Sequence, residues 1–278
     1  MEVFSITNIF FWFFFTIINH MIDRIVVTGC SFSTGMEMAE HLLDKNEKNR
    51  RLAIWKWYKN NFHSDKKMTI DTLDRLSSKQ FQMIERDLSW PALLSKKLDK
   101  PVENLSVIGG SIGRSLIQFS DYLKTKDSNQ KIIAIHQLPS FGRLFLKFLS
   151  TRIDICPSDN DNFLENIGYD KRHYENEIQK LKKTYKKYII KEESHSYMTI
   201  HYKKCLNRIQ NLGKKHDVMN YFILDNNKYV ELIDRVLIKD FKKFRSKYIH
   251  GAFNHPIDKN FNKDLVDIIY NKIKKHFY

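Results

Sequence analysis

The chain has 278 residues and is strongly basic, with 47 Lys and Arg against 32 Asp and Glu and a formal net charge of +15. A hydrophobic content of 42% is that of a globular protein, and nine glycines and five prolines are too few for long disordered linkers. Cys30, Cys156 and Cys205 have no paired spacing. This excludes a disulfide framework and a zinc motif, and it indicates a reducing compartment.

The positive charge suits an anionic partner such as nucleic acid, a membrane surface or an acidic glycan. The simpler explanation is a Lys-rich composition with solvated faces. Because the lysines are spread along the chain and no Arg cluster or aromatic-basic motif appears, we do not expect a nucleic acid as the partner.

Residues 3–22 contain no Asp, Glu, Lys or Arg and centre on an aromatic run at 10–15. About twenty apolar residues can span a bilayer as a helix, and the basic residues that follow would keep the body of the chain on the cytoplasmic face. Two alternatives remain: Met21 is the true start and the first residues are an over-extension, or the segment packs on the domain. We divide the chain into this segment, 1–22, and an α/β domain over 23–278.

Residues 24–28 form a β-branched run that predicts a buried strand, which ends at Gly29. A helix is predicted from about residue 36, so the small polar residues between them lie at the carboxyl edge of a sheet, where α/β proteins bind ligands. Ser31 either faces a crevice at this edge or, with Ser33, only caps the helix. We expect the side chain of Cys30 to point into the sheet.

The rest of the chain alternates between strands and helices, which predicts a parallel sheet with helices on both faces. Two helical insertions are expected, near 46–88 after the first strand and near 169–212. Further strands are predicted at 102–108, 131–136 and 220–224, a candidate fifth strand at 247–250, and helices at 90–98, 115–123 and 260–276.

Three loops at the carboxyl edge carry candidate chemistry: Ser31, the glycine-rich turn 109–113, and His255 before the last helix. Acyl transfer needs a nucleophile, a base and oxyanion donors in one crevice. A structural role is the alternative for each, with Gly109 in a tight turn and His255 capping the last helix.

The order of these blocks resembles that of the SGNH (GDSL-type) hydrolases, and more closely their divergent members in phages and bacteria. The resemblance spans roughly residues 25–274 and rests on four stretches. They are Gly29-Cys30-Ser31-Phe32-Ser33-Thr34-Gly35, Ser89-Trp90-Pro91-Ala92-Leu93-Leu94, Asn104-Leu105-Ser106-Val107-Ile108-Gly109-Gly110-Ser111 and His255-Pro256.

The resemblance implies a three-layer α/β/α sandwich of the flavodoxin-like type, with no metal and no cofactor. It implies Ser31 as the nucleophile, His255 as the general base, and the backbone N–H groups of Ser31 and Gly109 as the oxyanion hole. The implied function is that of a serine esterase, and O-acetylated glycans are one class of substrate. The positive charge of this chain would favour an anionic glycan.

Three departures from the family pattern leave an alternative open. Cys30 replaces the Asp that usually precedes the nucleophile. In the third block only Gln137 or Ser140 could replace the usual oxyanion Asn. The positions that usually supply the acid before His255 are Ala252 and Phe253. The chain therefore uses a Ser-His dyad, takes a carboxylate from elsewhere, or is a catalytically inactive binding protein of the same fold.

Overall fold

A computed structural model describes most of the chain after residue 21. The described ranges are 22–34, 86–107, 110–139, 144–148, 151–155, 192–225, 227–250 and 258–277, with single helical positions at 176, 179 and 183.

The strands in these ranges form one five-stranded parallel sheet and one separate two-stranded sheet. In chain order the strands are β1 (Arg24–Thr28), β2 (Val102–Asn104), β3 (Ile132–Gln137), β4 (Leu144–Phe148), β5 (Thr151–Ile155), β6 (Val218–Ile223) and β7 (Val236–Ile238). The helices are α1 (Ser31–Thr34), α2 (Trp90–Leu98), α3 (Ile112–Thr125), α4 (Glu192–Lys215), α5 (Phe241–Arg245) and α6 (Lys259–Ile273), with 3-10 turns at Asn227–Leu232 and Lys274–His276.

The parallel sheet has the strand order β2-β1-β3-β6-β7. The chain moves outward from β1 to β2 and then crosses back to β3 on the other side of β1. The strand order therefore reverses at β1 and β3. Ligands of open α/β sheets bind in the crevice outside the carboxyl ends of the strands at such a reversal.

Helices cover both faces of the sheet, so the domain has the predicted three-layer α/β arrangement. Ile25 and Ile133 face a core that includes residues of α2 and α6, whereas Val26 and Ala134 face a core that includes residues of α3 and α4. The central strands are buried on both faces, which explains why β1 and β3 contain the continuous apolar runs 25–27 and 132–135 rather than an alternating pattern.

Several helix boundaries follow from local sequence. Ser111 caps α3, its hydroxyl accepting a hydrogen bond from Arg114 N at 3.2 Å. Pro91 occupies the first turn of α2, where its missing N–H costs nothing. The helix predicted at 90–98 is confirmed, as are the long helices before β6 and at the end of the domain.

The fifth strand of the sheet is not where we predicted it. Residues 247–249 follow α5 as a turn and irregular chain, and His250 makes only an isolated β-bridge. The fifth strand is Val236–Ile238, which pairs with β6. A strand of three residues is too short to produce a clear pattern, and only its partner identifies it. The antiparallel hairpin of β4 and β5 was also missed, because the two residues between its strands are Leu149 and Ser150 rather than a glycine-containing turn.

The other predicted segments fall mainly outside the described residues. These are 3–21, the helix predicted from residue 36, most of the insertion near 46–88, and most of 169–191. None of the helices in the described ranges is long and apolar enough to cross a bilayer.

Candidate functional site

The turn after β1 lies at the reversal of the strand order. Ser31 is the first residue of α1, and the backbone N–H groups of Ser33 and Thr34 donate to the carbonyl of Cys30 at 3.0 and 3.3 Å. Cys30 itself is buried, as expected from its position after Gly29. The side chain of Ser31 is outside the described part of the structure.

Gly29 allows the ends of β1 and β3 to approach each other closely. A Cβ atom at this position would lie 2.8 Å from Ser33 Oγ, closer than real Cβ atoms pack, and 3.0 Å from Gln137 Cβ, which is tighter than most Cβ contacts. In the space that glycine leaves, Ser33 Oγ donates a hydrogen bond to Gln137 Oε1, and both side chains are buried. Gln137, a predicted oxyanion donor, is thus held against the turn that begins with Ser31.

Asn104, at the end of β2, holds the same turn from the other side. Its Nδ2 group donates to the carbonyl of Ser33 at 2.7 Å, and its Oδ1 accepts from the backbone N–H of Ser106 at 3.1 Å. The turn after β1 is therefore held between the carboxyl ends of β2 and β3. Asn104 was part of the sequence resemblance, but no positioning role had been assigned to it.

The second candidate loop approaches the first through backbone contacts. The N–H of Val107 donates to the carbonyl of Gly29 at 3.4 Å, and a Cβ atom on Gly110 would lie 2.9 Å from that same oxygen. Gly109 is outside the described residues, but both of its described flanks therefore lie against the turn after β1.

His136 occupies the buried interior beneath this edge. Asn220 Nδ2 donates to the carbonyl of Ile209 at 3.1 Å, so its Oδ1 must be the acceptor for His136 Nε2–H, also at 3.1 Å. His136 Nδ1 is then the acceptor for the hydroxyl of Thr28 at 2.8 Å. Burial lowers the pKa of His136 to about 4, and the bond to Asn220 opposes this only in part. The ring is therefore neutral at physiological pH.

This buried chain of hydrogen bonds joins β1, β3, β6 and α4. The sequence did not indicate this chain of hydrogen bonds. The pattern placed Thr28, His136 and Asn220 in predicted strands and gave no sign that they are partners.

A second buried group lies on the α4 side of the same edge. The ring of Tyr202 stacks on that of Tyr229 at 4.7 Å, and the Tyr202 hydroxyl donates to the carbonyl of Pro139 at 3.4 Å. Burial raises the pKa of Tyr202, and the nearby Tyr229, Asp225 and Cys30 raise it further. Tyr202 is therefore a neutral hydrogen-bond donor.

The short helix α5 is attached to the same edge. Its first two backbone N–H groups, of Phe241 and Lys242, donate to the carbonyls of Leu224 and Asp225 at 2.7 and 3.1 Å, just after β6 ends. Phe241 packs edge-on against Phe32 of α1, with ring centroids 5.3 Å apart.

The guanidinium of Arg245 also lies over the ring of Phe32, 4.8 Å from its centroid. Phe32 is the residue after Ser31, so α5 packs directly against the candidate nucleophile turn. The sequence pattern did not predict α5.

Both ends of the segment that contains His255 are anchored near this turn, although His255 itself is outside the described residues. Before it, His250 Nε2 donates to the carbonyl of Arg245 at 2.9 Å. After it, the carboxylate of Asp258 caps α6 by accepting from the N–H of Asn260 at 2.8 Å.

The first turn of α6 joins the aromatic cluster around Phe32. The ring of Phe261 lies 6.0 Å from that of Phe241 and 5.3 Å from that of Tyr248, measured between centroids. The aromatic contacts thus run from Phe32, beside Ser31, to Phe261, three residues after Asp258.

The structure brings together the turns of Ser31 and Gln137 and the described flanks of Gly109. It does not describe Gly109, Ser140 or His255, or the side chain of Ser31. Within the described ranges no three His, Cys, Asp or Glu side chains are grouped so that they could hold a metal ion.

The fold and this edge define an α/β protein whose candidate site lies at the strand-order reversal of a parallel sheet. Neither a protein-family model nor a curated protein matches the chain.

Proposed function

We propose that the protein is a serine esterase of the SGNH type. Ser31 attacks the carbonyl carbon of an ester, His255 takes the proton of the hydroxyl and passes it to the leaving alcohol, and water then hydrolyses the acyl-enzyme. The observation that carries this proposal is the position of the Ser31 turn at the strand-order reversal, held between Asn104 and Gln137. The strand order β2-β1-β3-β6-β7 supports it, because flavodoxin-like folds share this order.

The short length of chain between His255 and α6 supports the role of His255 as the base. His255 lies three residues before Asp258, and three residues reach at most about 11 Å. Asp258 begins α6 beside Phe261, and two aromatic contacts connect Phe261 to Phe32. The base is therefore attached by a short tether to an element that packs beside the nucleophile turn.

The oxyanion donors of the proposal are the backbone N–H groups of Ser31 and Gly109, with Gln137 as a third donor. Ser33 occupies Oε1 of Gln137, so the Nε2 group is the part of this amide left to donate. The contact of Gly110 with the carbonyl of Gly29 supports the pairing of the two backbone donors. Such donors stabilise the negative charge of the tetrahedral intermediate.

Labelling with a fluorophosphonate probe tests the proposal. The folded protein should form one adduct, which mass spectrometry should locate on Ser31, and Ser31→Ala should abolish it. Ser128→Ala is the matched control, because Ser128 is an exposed serine in the loop before β3, at the opposite edge of the sheet. An adduct at another residue, or none on the folded protein, would overturn the proposal.

One observation favours a second candidate, an inactive binding protein of the same fold. The two carboxylates on the first two turns of α6 both have structural partners: Asp258 caps the helix, and Asp264 accepts from the Tyr248 hydroxyl at 2.7 Å. If this candidate is right, the folded protein resists the probe and hydrolyses no ester.

A further inference from the structure

The segment 239–247, which follows β7 and contains α5, is a strongly basic part of the candidate edge. It carries one acidic side chain, Asp240, among the basic residues Lys239, Lys242, Lys243, Arg245 and Lys247. Asp240 is committed to capping α5, since its carboxylate accepts from the N–H of Lys243 at 2.8 Å. The four lysines are exposed.

Some lysines on the described surface are paired with acids. Lys97 pairs with Asp267, and Lys131 pairs with Asp217 at 2.6 Å. In the described part of the chain, no ion pair involves the four lysines of segment 239–247. Because other described lysines are unpaired as well, it is the position of this segment, and not the lack of ion pairs, that sets it apart.

The segment is fixed beside the nucleophile turn rather than elsewhere on the surface. The N–H of Lys242 donates to the carbonyl of Asp225 at the end of β6, and Arg245 lies over the ring of Phe32. Of the other described acids near this edge, Asp264 accepts from Tyr248 and Asp258 caps α6, which leaves the carboxylate of Asp225 against five basic side chains. A surface with an excess of one charge sign concentrates ligands of the opposite sign.

We propose that segment 239–247 binds an anionic group of the substrate, so that the ester cleaved at Ser31 carries its own negative charge. The inference rests on the proposed esterase function and adds the substrate class. Lys242 and Lys243 attract the anion, and the contact of Arg245 with Phe32 holds the segment beside the reacting ester. The substrate chemistry that fits is a carboxylated ester, such as an acylated acidic sugar.

The first experiment compares two esters of equal length. Mono(4-nitrophenyl) adipate carries a carboxylate where 4-nitrophenyl hexanoate carries a methyl group. The wild-type kcat/KM should be higher for the adipate, and the double variant Lys242→Glu/Lys243→Glu should reduce that preference about fivefold to tenfold. The control is Lys214→Glu/Lys215→Glu, which reverses two exposed lysines at the end of α4, on the opposite edge, and should keep the preference.

A second experiment separates this inference from the esterase proposal. Trigalacturonic acid and maltotriose, an acidic and a neutral trisaccharide, are titrated into the Ser31→Ala protein. The acidic sugar should bind more tightly, and adding Lys242→Glu/Lys243→Glu should weaken it at least fivefold. Binding without any ester hydrolysis by the wild type would remove the esterase proposal and keep the anion site. The anion site would be overturned by equal binding of both sugars. It would also be overturned if Lys214→Glu/Lys215→Glu weakened the acidic sugar as much as Lys242→Glu/Lys243→Glu does.

Discussion

His136 Nε2 donates a hydrogen bond of 3.1 Å to Asn220 Oδ1, and this contact joins β3 to β6 in the interior of the protein. The same ring accepts from the Thr28 hydroxyl, one residue before Gly29. The neutral form of His136 thus fixes the strand end that leads into the candidate nucleophile turn.

Acid should weaken the fold through this histidine. Its pKa is about 4 in the folded protein and 6.5 in the absence of the fold, so the unfolded chain binds more protons between these values. The stability that the neutral ring contributes is fully present above pH 6.5 and is lost as the pH falls from about 6.5 to about 4. The difference between the two pKa values corresponds to about 3 kcal/mol in the free energy of unfolding.

The free energy of unfolding, measured by urea titration at several pH values, checks this. His136→Gln removes the titrating group but not the other histidines, so the difference between the two proteins isolates His136. The variant should be less stable at pH 7 and should lose less stability between pH 6.5 and 4. Equal pH slopes for the two proteins would contradict the buried neutral ring.

Gly213→Ala should destabilise the protein, against the usual effect of this change in a helix. An added Cβ would lie 2.7 Å from Asn220 Cγ and closer still to Nδ2, so the amide that orients His136 would have to move. The expected cost is about 2 kcal/mol, whereas Gly→Ala inside an unobstructed helix stabilises by about 0.5–1 kcal/mol.

A double-mutant cycle measured by urea unfolding tests the cause. In the Asn220→Ala background the obstructing amide is gone, so Gly213→Ala should become neutral or stabilising. Asn211→Ala, at an exposed position of the same helix, is the control and should change stability by less than about 0.5 kcal/mol. A cost for Gly213→Ala that stays the same in both backgrounds would point to another cause.

The contact between Ser33 and Gln137 should be visible in the kinetics of ester hydrolysis. Gln137→Leu removes a proposed oxyanion donor, for which we expect a loss of about 10²-fold in kcat. Ser33→Ala leaves the amide in place but releases its orientation, and we expect about a tenfold loss. Because the donor acts on the transition state, KM for 4-nitrophenyl hexanoate should change little in either variant.

Thermal unfolding of both variants separates chemistry from stability. A fall in kcat that disappears when the assay is run well below the melting temperature would assign Ser33 and Gln137 a structural role only. A rise in KM at constant kcat would likewise contradict the donor role of Gln137.

Asp258→Asn should leave ester hydrolysis within about twofold of the wild type. The carboxylate of Asp258 caps α6, and Asn caps helices as well as Asp does. Asp258→Ala should lower the free energy of unfolding by about 1 kcal/mol, because the cap is lost. If Asp258 were instead the acid that orients His255, the Asn variant would lose activity by orders of magnitude, as triad enzymes do.

The local sequence determined the elements whose pattern is continuous and strong. The buried runs of β1, β3 and β6 and the helix α2 were predictable because a β-branched run or Pro91 sets the conformation of its own neighbours. The helix predicted at 115–123 begins earlier, at Ile112, where Ser111 caps it. The placement of Ser31 and Gln137 at strand ends followed from the same runs. That these ends share one edge followed from the alternation of strands and helices.

What only the tertiary structure decided is which distant side chains meet. Thr28, His136 and Asn220 come from three strands, and their partnership depends on the register of those strands, which no local pattern encodes. The three-residue strand β7 exists because β6 offers it a partner. Likewise, the sequence of 239–247 alone indicates only a solvated basic surface. The packing of Phe241 and Arg245 on Phe32 is what places this segment beside Ser31.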